Sequence, residues 1–334
     1  MISIRYRLSA FFVARALAGE QRSLEPRHEA TPLLKKDGVR PWTKTFCCLL
    51  CLFACCLSSC KPSGPTITVG SKFFTEQVVL GELLAQHIEA RTGLHVARKS
   101  NLGGTLLCQK ALLSGELDLY VEYTGTALTG VLGEAPGDDD SKRIYERVKR
   151  GYAERFHLAV TEPLGFANSF AMVIRGADAQ RYNLRKISDI VPIAPQWRAG
   201  FGYEFLERPD GYAGWAQRYG LKFAGAPSVM DLGLIYRALV DKKVDIVAGN
   251  STDGLIEALH LVTLTDDKHY FPPYDAVPIV RAATLEKFPA LRAALADLAG
   301  KISEEEMRKM NAEVDADQRD VAAVVRAFRV SKGL

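Results

Sequence analysis

Three short stretches of this chain set aromatic rings beside glycine, threonine or asparagine. They are Tyr123-Thr124-Gly125-Thr126, Gly165-Phe166-Ala167-Asn168-Ser169-Phe170 and Phe271-Pro272-Pro273-Tyr274. The face of an aromatic ring carries the negative part of its quadrupole, so several rings together can hold a cation. Rings of this kind also pack cores, and either use fits the residues alone. No constellation for bond-making chemistry accompanies them. There is no phosphate-binding Gly-rich loop, no GxGxxG after a strand, no GxSxG and no HExxH. His87, His95, His157, His260 and His269 follow no metal-ligand spacing and read as surface or capping residues. Gly137-Asp138-Asp139-Asp140 lacks the spacing and terminal Glu of a calcium loop and reads as a solvated turn before a helix. Neither a catalytic group, a cofactor nor a metal is expected.

A different chemistry is written at Cys60. It closes an apolar run from Phe46 to Leu57, flanked by Lys44 before and Lys61-Pro62-Ser63-Gly64 after. Leu57-Ser58-Ser59-Cys60 places a large apolar residue at −3 and small residues at −2 and −1, the pattern of a bacterial lipoprotein signal. The run is too short for the roughly 20 apolar residues that span a bilayer. A positive flank and a small-residue exit mark a cleaved segment. Residues 1–59 therefore read as leader and signal peptide, with Cys60 as the lipidated N-terminus of the mature protein.

Removing the leader changes the charge. Of 43 Lys+Arg and 39 Asp+Glu, residues 1–59 hold 9 and 4, which leaves 34 and 35 and a net charge of −1. The basic balance belongs to the leader, so nothing favours nucleic acid as a partner. Six of the seven cysteines lie at or before position 60. Cys108 alone remains, so no internal disulfide forms, and its place in the helical pattern Thr105 to Leu113 makes it a buried apolar residue.

The elements that must position the rings alternate. Ile67–Gly70, His95–Arg98 and Leu117–Tyr123 read as strands. Between them, Thr75 caps a helix with apolar positions Val79, Leu80, Leu83, Leu84 and Ile88, stopped by Gly93. A second helix runs from Thr105 to Leu113 and ends at Gly115. This β-α-β-α-β order implies a parallel sheet. A charged helix near 140–156 follows, then strands at Phe170–Ile174 and Val244–Ala248. Ser228 with Asp231, and Ser303 with Glu306, read as capping boxes. The fold class is α/β. The aromatic stretches fall at strand ends, where α/β sheets place ligands.

Five stretches, two of them containing aromatic stretches above, carry a family resemblance: Gly70-Ser71-Lys72-Phe73-Phe74-Thr75-Glu76-Gln77, Asn101-Leu102-Gly103-Gly104-Thr105, Gly115 through Thr126, Ser251-Thr252-Asp253-Gly254, and Asp266 through Tyr274. In order and spacing the chain resembles the glycine betaine/choline-type substrate-binding proteins of osmoprotectant ABC transporters, from about Ile67 to Leu334. The resemblance implies a two-lobed periplasmic-binding-protein fold of type II. It implies a ligand cleft between the lobes and an aromatic cage around a quaternary ammonium. It places lobe I at 60–163 plus 269–334 and lobe II at 164–268.

Carried over by position, the cage falls on Tyr123, Phe170, Asn250 and Tyr274. The family's usual residue at the second and third of these is Tyr. Phe170 keeps a ring face; Asn250 has none, and either weakens the cage or hydrogen-bonds a more polar solute. Gln77 and Thr105, at helix N-termini, are candidate donors to the polar end of a zwitterion. The implied role is a lipid-anchored solute receptor at the periplasmic face of the envelope, monomeric, with a small osmolyte and ABC permease subunits as partners. A solute-binding sensor, or a receptor for a different small polar solute, would share these residues.

Overall fold

The computed structural model describes residues 66–137 and 140–334. Cys60 and the leader lie outside the described residues, as do Asp138 and Asp139. Among the described residues there are ten strands: β1 (Thr66–Gly70), β2 (His95–Lys99), β3 (Leu119–Tyr123), β4 (Leu158–Val160), β5 (Phe170–Arg175), β6 (Ala199–Phe201), β7 (Ser228–Val229), β8 (Ile246–Asn250), β9 (Leu261–Leu264) and β10 (Ala276–Arg281).

They form two five-stranded sheets with one shared plan. The orders are β2-β1-β3-β10-β4 and β7-β6-β8-β5-β9. In the first, β1 pairs parallel with β2 and β3, while β10 runs antiparallel to β3 and β4. In the second, β6 pairs parallel with β7 and β8, while β5 runs antiparallel to β8 and β9. Each sheet's reversed strand is the one the chain enters on arriving from the other sheet.

The parallel part follows from the β-α-β pattern, because a parallel pair needs a crossover helix. The helix Thr75–Thr92 buries Val79, Leu80, Leu83, Leu84 and Ile88 against the first sheet, as their spacing predicts. It stops at Gly93, which takes φ 69°. The helix Thr105–Ser114 stops at Gly115, φ 80°. Ser303 and Glu306 form the expected reciprocal cap of the helix Glu304–Asp315. Cys108 is fully buried, and burial pushes its thiol up to about 12.

Three local expectations are corrected. Thr75 is the first helical residue, after an extended Phe74, and its hydroxyl bonds Asp315 instead of capping. Ser228 lies in β7, paired with Gly200, and Asp231 closes a turn on the Gly233 N–H; the helix starts later, at Ile235. His87 is buried, not on the surface, whereas His157 does cap the helix Ser141–Phe156.

The chain crosses between sheets twice, after β4 and after β9. The two crossing segments lie side by side. Ala167 and Asp275 form an antiparallel bridge, Asn168 N–H donates to the Tyr274 carbonyl at 3.0 Å, and Ala276 N–H donates to the Phe166 carbonyl at 3.0 Å. Gly165 lies within this pairing at φ 115°, and a Cβ there would sit 2.7 Å from the Ile302 carbonyl oxygen. Gly165→Ala is therefore expected to cost about 1–3 kcal/mol, seen as a lower urea midpoint at unchanged m-value. An unshifted midpoint would show that the crossing tolerates a side chain there.

Candidate functional site

The ends of β3, β5 and β8 and the residues before β10 face one cleft. All four cage candidates line it: Tyr123, Phe170, Asn250 and Tyr274. Tyr123 ends β3, Phe170 begins β5, and Asn250 ends β8 directly opposite Phe170 in the register of the two strands. Phe170 and Tyr274 meet edge to face at 6.0 Å, and Phe74 stacks on Tyr123 at 6.4 Å. Both tyrosine hydroxyls are fixed by carboxylates. Tyr123 donates to Glu76 at 2.6 Å and Tyr274 to Asp210 at 2.6 Å. The rings are thus held in one orientation before any solute arrives.

Two cations largely withdrawn from water share the cleft with these rings. The Lys72 ammonium sits 4.7 Å from the Tyr123 ring centre and bonds Glu122 at 2.5 Å and the Thr105 hydroxyl at 3.3 Å. The Arg208 guanidinium lies 5.0 Å over Phe170 and 5.9 Å from Tyr274, is paired with Asp210, and donates to the Thr126 hydroxyl at 2.9 Å. A ring face attracts whichever cation is nearest. Sequence reading found the rings and missed the cations. Lys72 was visible within Gly70 through Gln77, but nothing in Arg208-Pro209-Asp210-Gly211 distinguishes it from an ordinary turn.

Behind the rings lies Glu76, fully buried in the first turn of the helix Thr75–Thr92. Its oxygens accept from Tyr123, from Asn168 Nδ2 at 2.8 Å, from Asn311 Nδ2 at 3.0 Å and from the Thr252 hydroxyl. Burial pushes its carboxyl above the ordinary range, and the four hydrogen bonds pull the other way.

The two helix N-terminal candidates lie elsewhere. Gln77 is buried outside the cleft lining, with its Oε1 facing the Lys72 N–H at 3.5 Å and its Nε2 unpartnered by protein. Thr105 borders a neighbouring groove, and its N–H is held by the Glu204 carboxylate at 2.8 Å. A helix N-terminus attracts an anion; here the anion comes from the helix Tyr203–Glu207. That helix also stacks Tyr203 on Phe73 at 5.6 Å. No group of side chains suited to a metal ion occurs among the described residues.

The wall at Asn250 rests on Asp253. This carboxylate accepts from the Tyr236 hydroxyl at 2.6 Å, the Asn250 N–H at 2.9 Å and the Asn250 amide at 3.3 Å. Burial holds it at about 6, against an ordinary 3.8. An acid whose folded value is raised binds more protons when folded than when unfolded. Its contribution therefore falls as pH rises from about 4 to about 6, by about 3 kcal/mol across that window. Urea unfolding of wild type and Asp253→Asn at pH 4 and pH 7 reads this directly. The variant should gain on the wild type by that amount at the higher pH; a constant difference would mean that Asp253 titrates normally.

Comparison with known proteins assigns the family. Residues 65–331 match the OpuAC family, described as the substrate binding domain of an ABC-type glycine betaine transport system. The chain is 38% identical over 291 residues to the carnitine transport binding protein OpuCC of Listeria monocytogenes, covering 85% of this chain and 94% of that one. It is 33% identical over 293 residues to a glycine-betaine-binding protein of Pseudomonas aeruginosa, covering 84% and 92%. The crystal structure of a glycine betaine/carnitine/choline ABC transporter protein superposes with a TM-score of 0.67 at 32% identity, over 80% of this chain and 98% of that one. The chain belongs to the OpuAC family of ABC-transporter substrate-binding domains.

Proposed function

We propose that this protein is the solute receptor of an ABC importer and binds a quaternary-ammonium compatible solute, such as glycine betaine, choline or carnitine, for delivery to the permease. The observation that carries the reading is the pairing of ring faces with two largely desolvated cations in one cleft. A betaine carries both charges. Its ammonium suits the rings of Tyr123, Phe170 and Tyr274, and its carboxylate suits Lys72 and Arg208. On this reading the lobes are 60–163 plus 269–334 and 164–268, and the solute is enclosed by rotation about the paired crossing segments. The role is reception and release, without a chemical step.

We also read Cys60 as a lipidated N-terminus that holds a monomeric receptor at the periplasmic face of the envelope. Two or more acyl chains make such anchoring stable. Mass spectrometry of the membrane fraction should find a diacylglyceryl Cys60, and mature protein carrying peptides from 1–59 would overturn this reading.

Titration calorimetry with glycine betaine, choline and carnitine tests the site. Phe170→Leu keeps apolar bulk but removes a ring face, so it should weaken binding by about 1 kcal/mol. Tyr274→Ala should cost more, because it also frees Asp210. A solute at 100 times its Kd should stabilise the fold by about 2.7 kcal/mol. Absence of binding by all three solutes at millimolar concentration would refute the proposed ligand class.

A further inference from the structure

One wall of the cleft is an amide, and its orientation is fixed by its surroundings. The Asn250 Nδ2 group lies 3.3 Å from both oxygens of Asp253, whose carboxylate also receives the Asn250 N–H and the Tyr236 hydroxyl. That carboxylate already takes two fixed donors on one side, and when ionised it can only accept. The amide must therefore turn its N–H group toward Asp253, because the opposite orientation would set the amide oxygen against the carboxylate. That leaves Oδ1 as the atom Asn250 can offer. Among the described residues no protein donor reaches it, and Asn250 lines the cleft and is only partly buried. Phe170, its partner in register on β5, offers a ring face beside it. The second sheet thus presents one π surface and one strong hydrogen-bond acceptor, backed by a buried negative charge.

A fully methylated ammonium cannot use that acceptor well. Its methyl groups give only weak C–H···O contacts, whereas an N–H on a cation forms a short, charge-assisted bond. We propose that Asn250 is a specificity-determining residue whose Oδ1 accepts a hydrogen bond from an N–H on the solute's cationic nitrogen, so that the cleft favours a partly methylated ammonium over its trimethylated counterpart. It rests on the proposed reading of the cleft as a betaine site, with rings for the ammonium and Lys72 and Arg208 for the carboxylate, and amends the degree of methylation that site prefers. Asn250 acts by touching the solute; Asp253 acts through Asn250, as a positioning residue.

N,N-Dimethylglycine and glycine betaine form the matched pair for the test. They differ by one methyl group replaced by hydrogen, and both are zwitterions at neutral pH. Calorimetry on the wild type should show dimethylglycine binding at least about threefold more tightly, after allowing for the methyl group it does not bury. In Asn250→Leu the order should invert, since burial then favours the extra methyl. Asn250→Ser, a smaller change that keeps an acceptor, should retain part of the preference. Equal binding, tighter glycine betaine binding by the wild type, or a preference that survives in Asn250→Leu would each overturn the inference while leaving the betaine-site reading intact. Failure of both ligands to bind would sink that reading, and this inference with it.

Discussion

The site depends on one buried carboxylate. Glu76 gathers donors from β3, the first crossing segment, the turn after β8 and the helix Glu304–Asp315. An ionised carboxylate offers about four acceptor positions, and four donors fill them. An unfilled position would leave a polar group buried without a partner, which is costly. The arrangement therefore holds as a whole. Tyr123 keeps its ring angle because its hydroxyl completes the set. The second sheet is kept in register with the first because Thr252 belongs to the same set, and Asn311 reinforces this by donating to the Thr252 carbonyl at 2.9 Å.

The charged pairs around the cleft have a different role. Lys72–Glu122 and Arg208–Asp210 are largely withdrawn from water. Buried ion pairs contribute little net stability, because desolvation offsets most of the attraction. Their value here is geometric. Glu122 is also held by the Tyr120 hydroxyl at 3.1 Å and the Tyr123 N–H at 2.8 Å, so it fixes the Lys72 ammonium at one point beside the rings. Asp210 does the same for Arg208 while accepting from Tyr274. Each cation is thus tied to the same tyrosine-bearing segments that form the aromatic wall.

Much of the framework was legible in the sequence, because it rests on local rules. The apolar period of 75–92, the glycine stops at Gly93 and Gly115 and the Ser303–Glu306 cap each state their structure within a few residues. The failures share a cause. Ser228 and Asp231 satisfy the spacing of a cap, but pairing of Ser228 with Gly200 takes that residue into a strand. Thr105 has the free N–H of a helix start, yet Glu204, 99 residues away, occupies it. Arg208 meets Phe170 and Thr126 only once both sheets are assembled. The aromatic residues at the strand ends were visible in the sequence, and the family resemblance singled out Tyr123, Phe170, Asn250 and Tyr274, which line one cleft. What surrounds them is set by long-range contacts that no window of sequence contains.

The order of the strands has a mechanical consequence. Because the chain leaves the first sheet once and returns once, its first strand and its last helix, Val321–Lys332, belong to the same half of the molecule. The second sheet has no chain end of its own and is joined to the rest through two adjacent segments. A pull applied upstream of Thr66 therefore loads the first sheet directly and reaches the second through the crossing segments and through side-chain bonds such as Thr252–Glu76 and Thr105–Glu204.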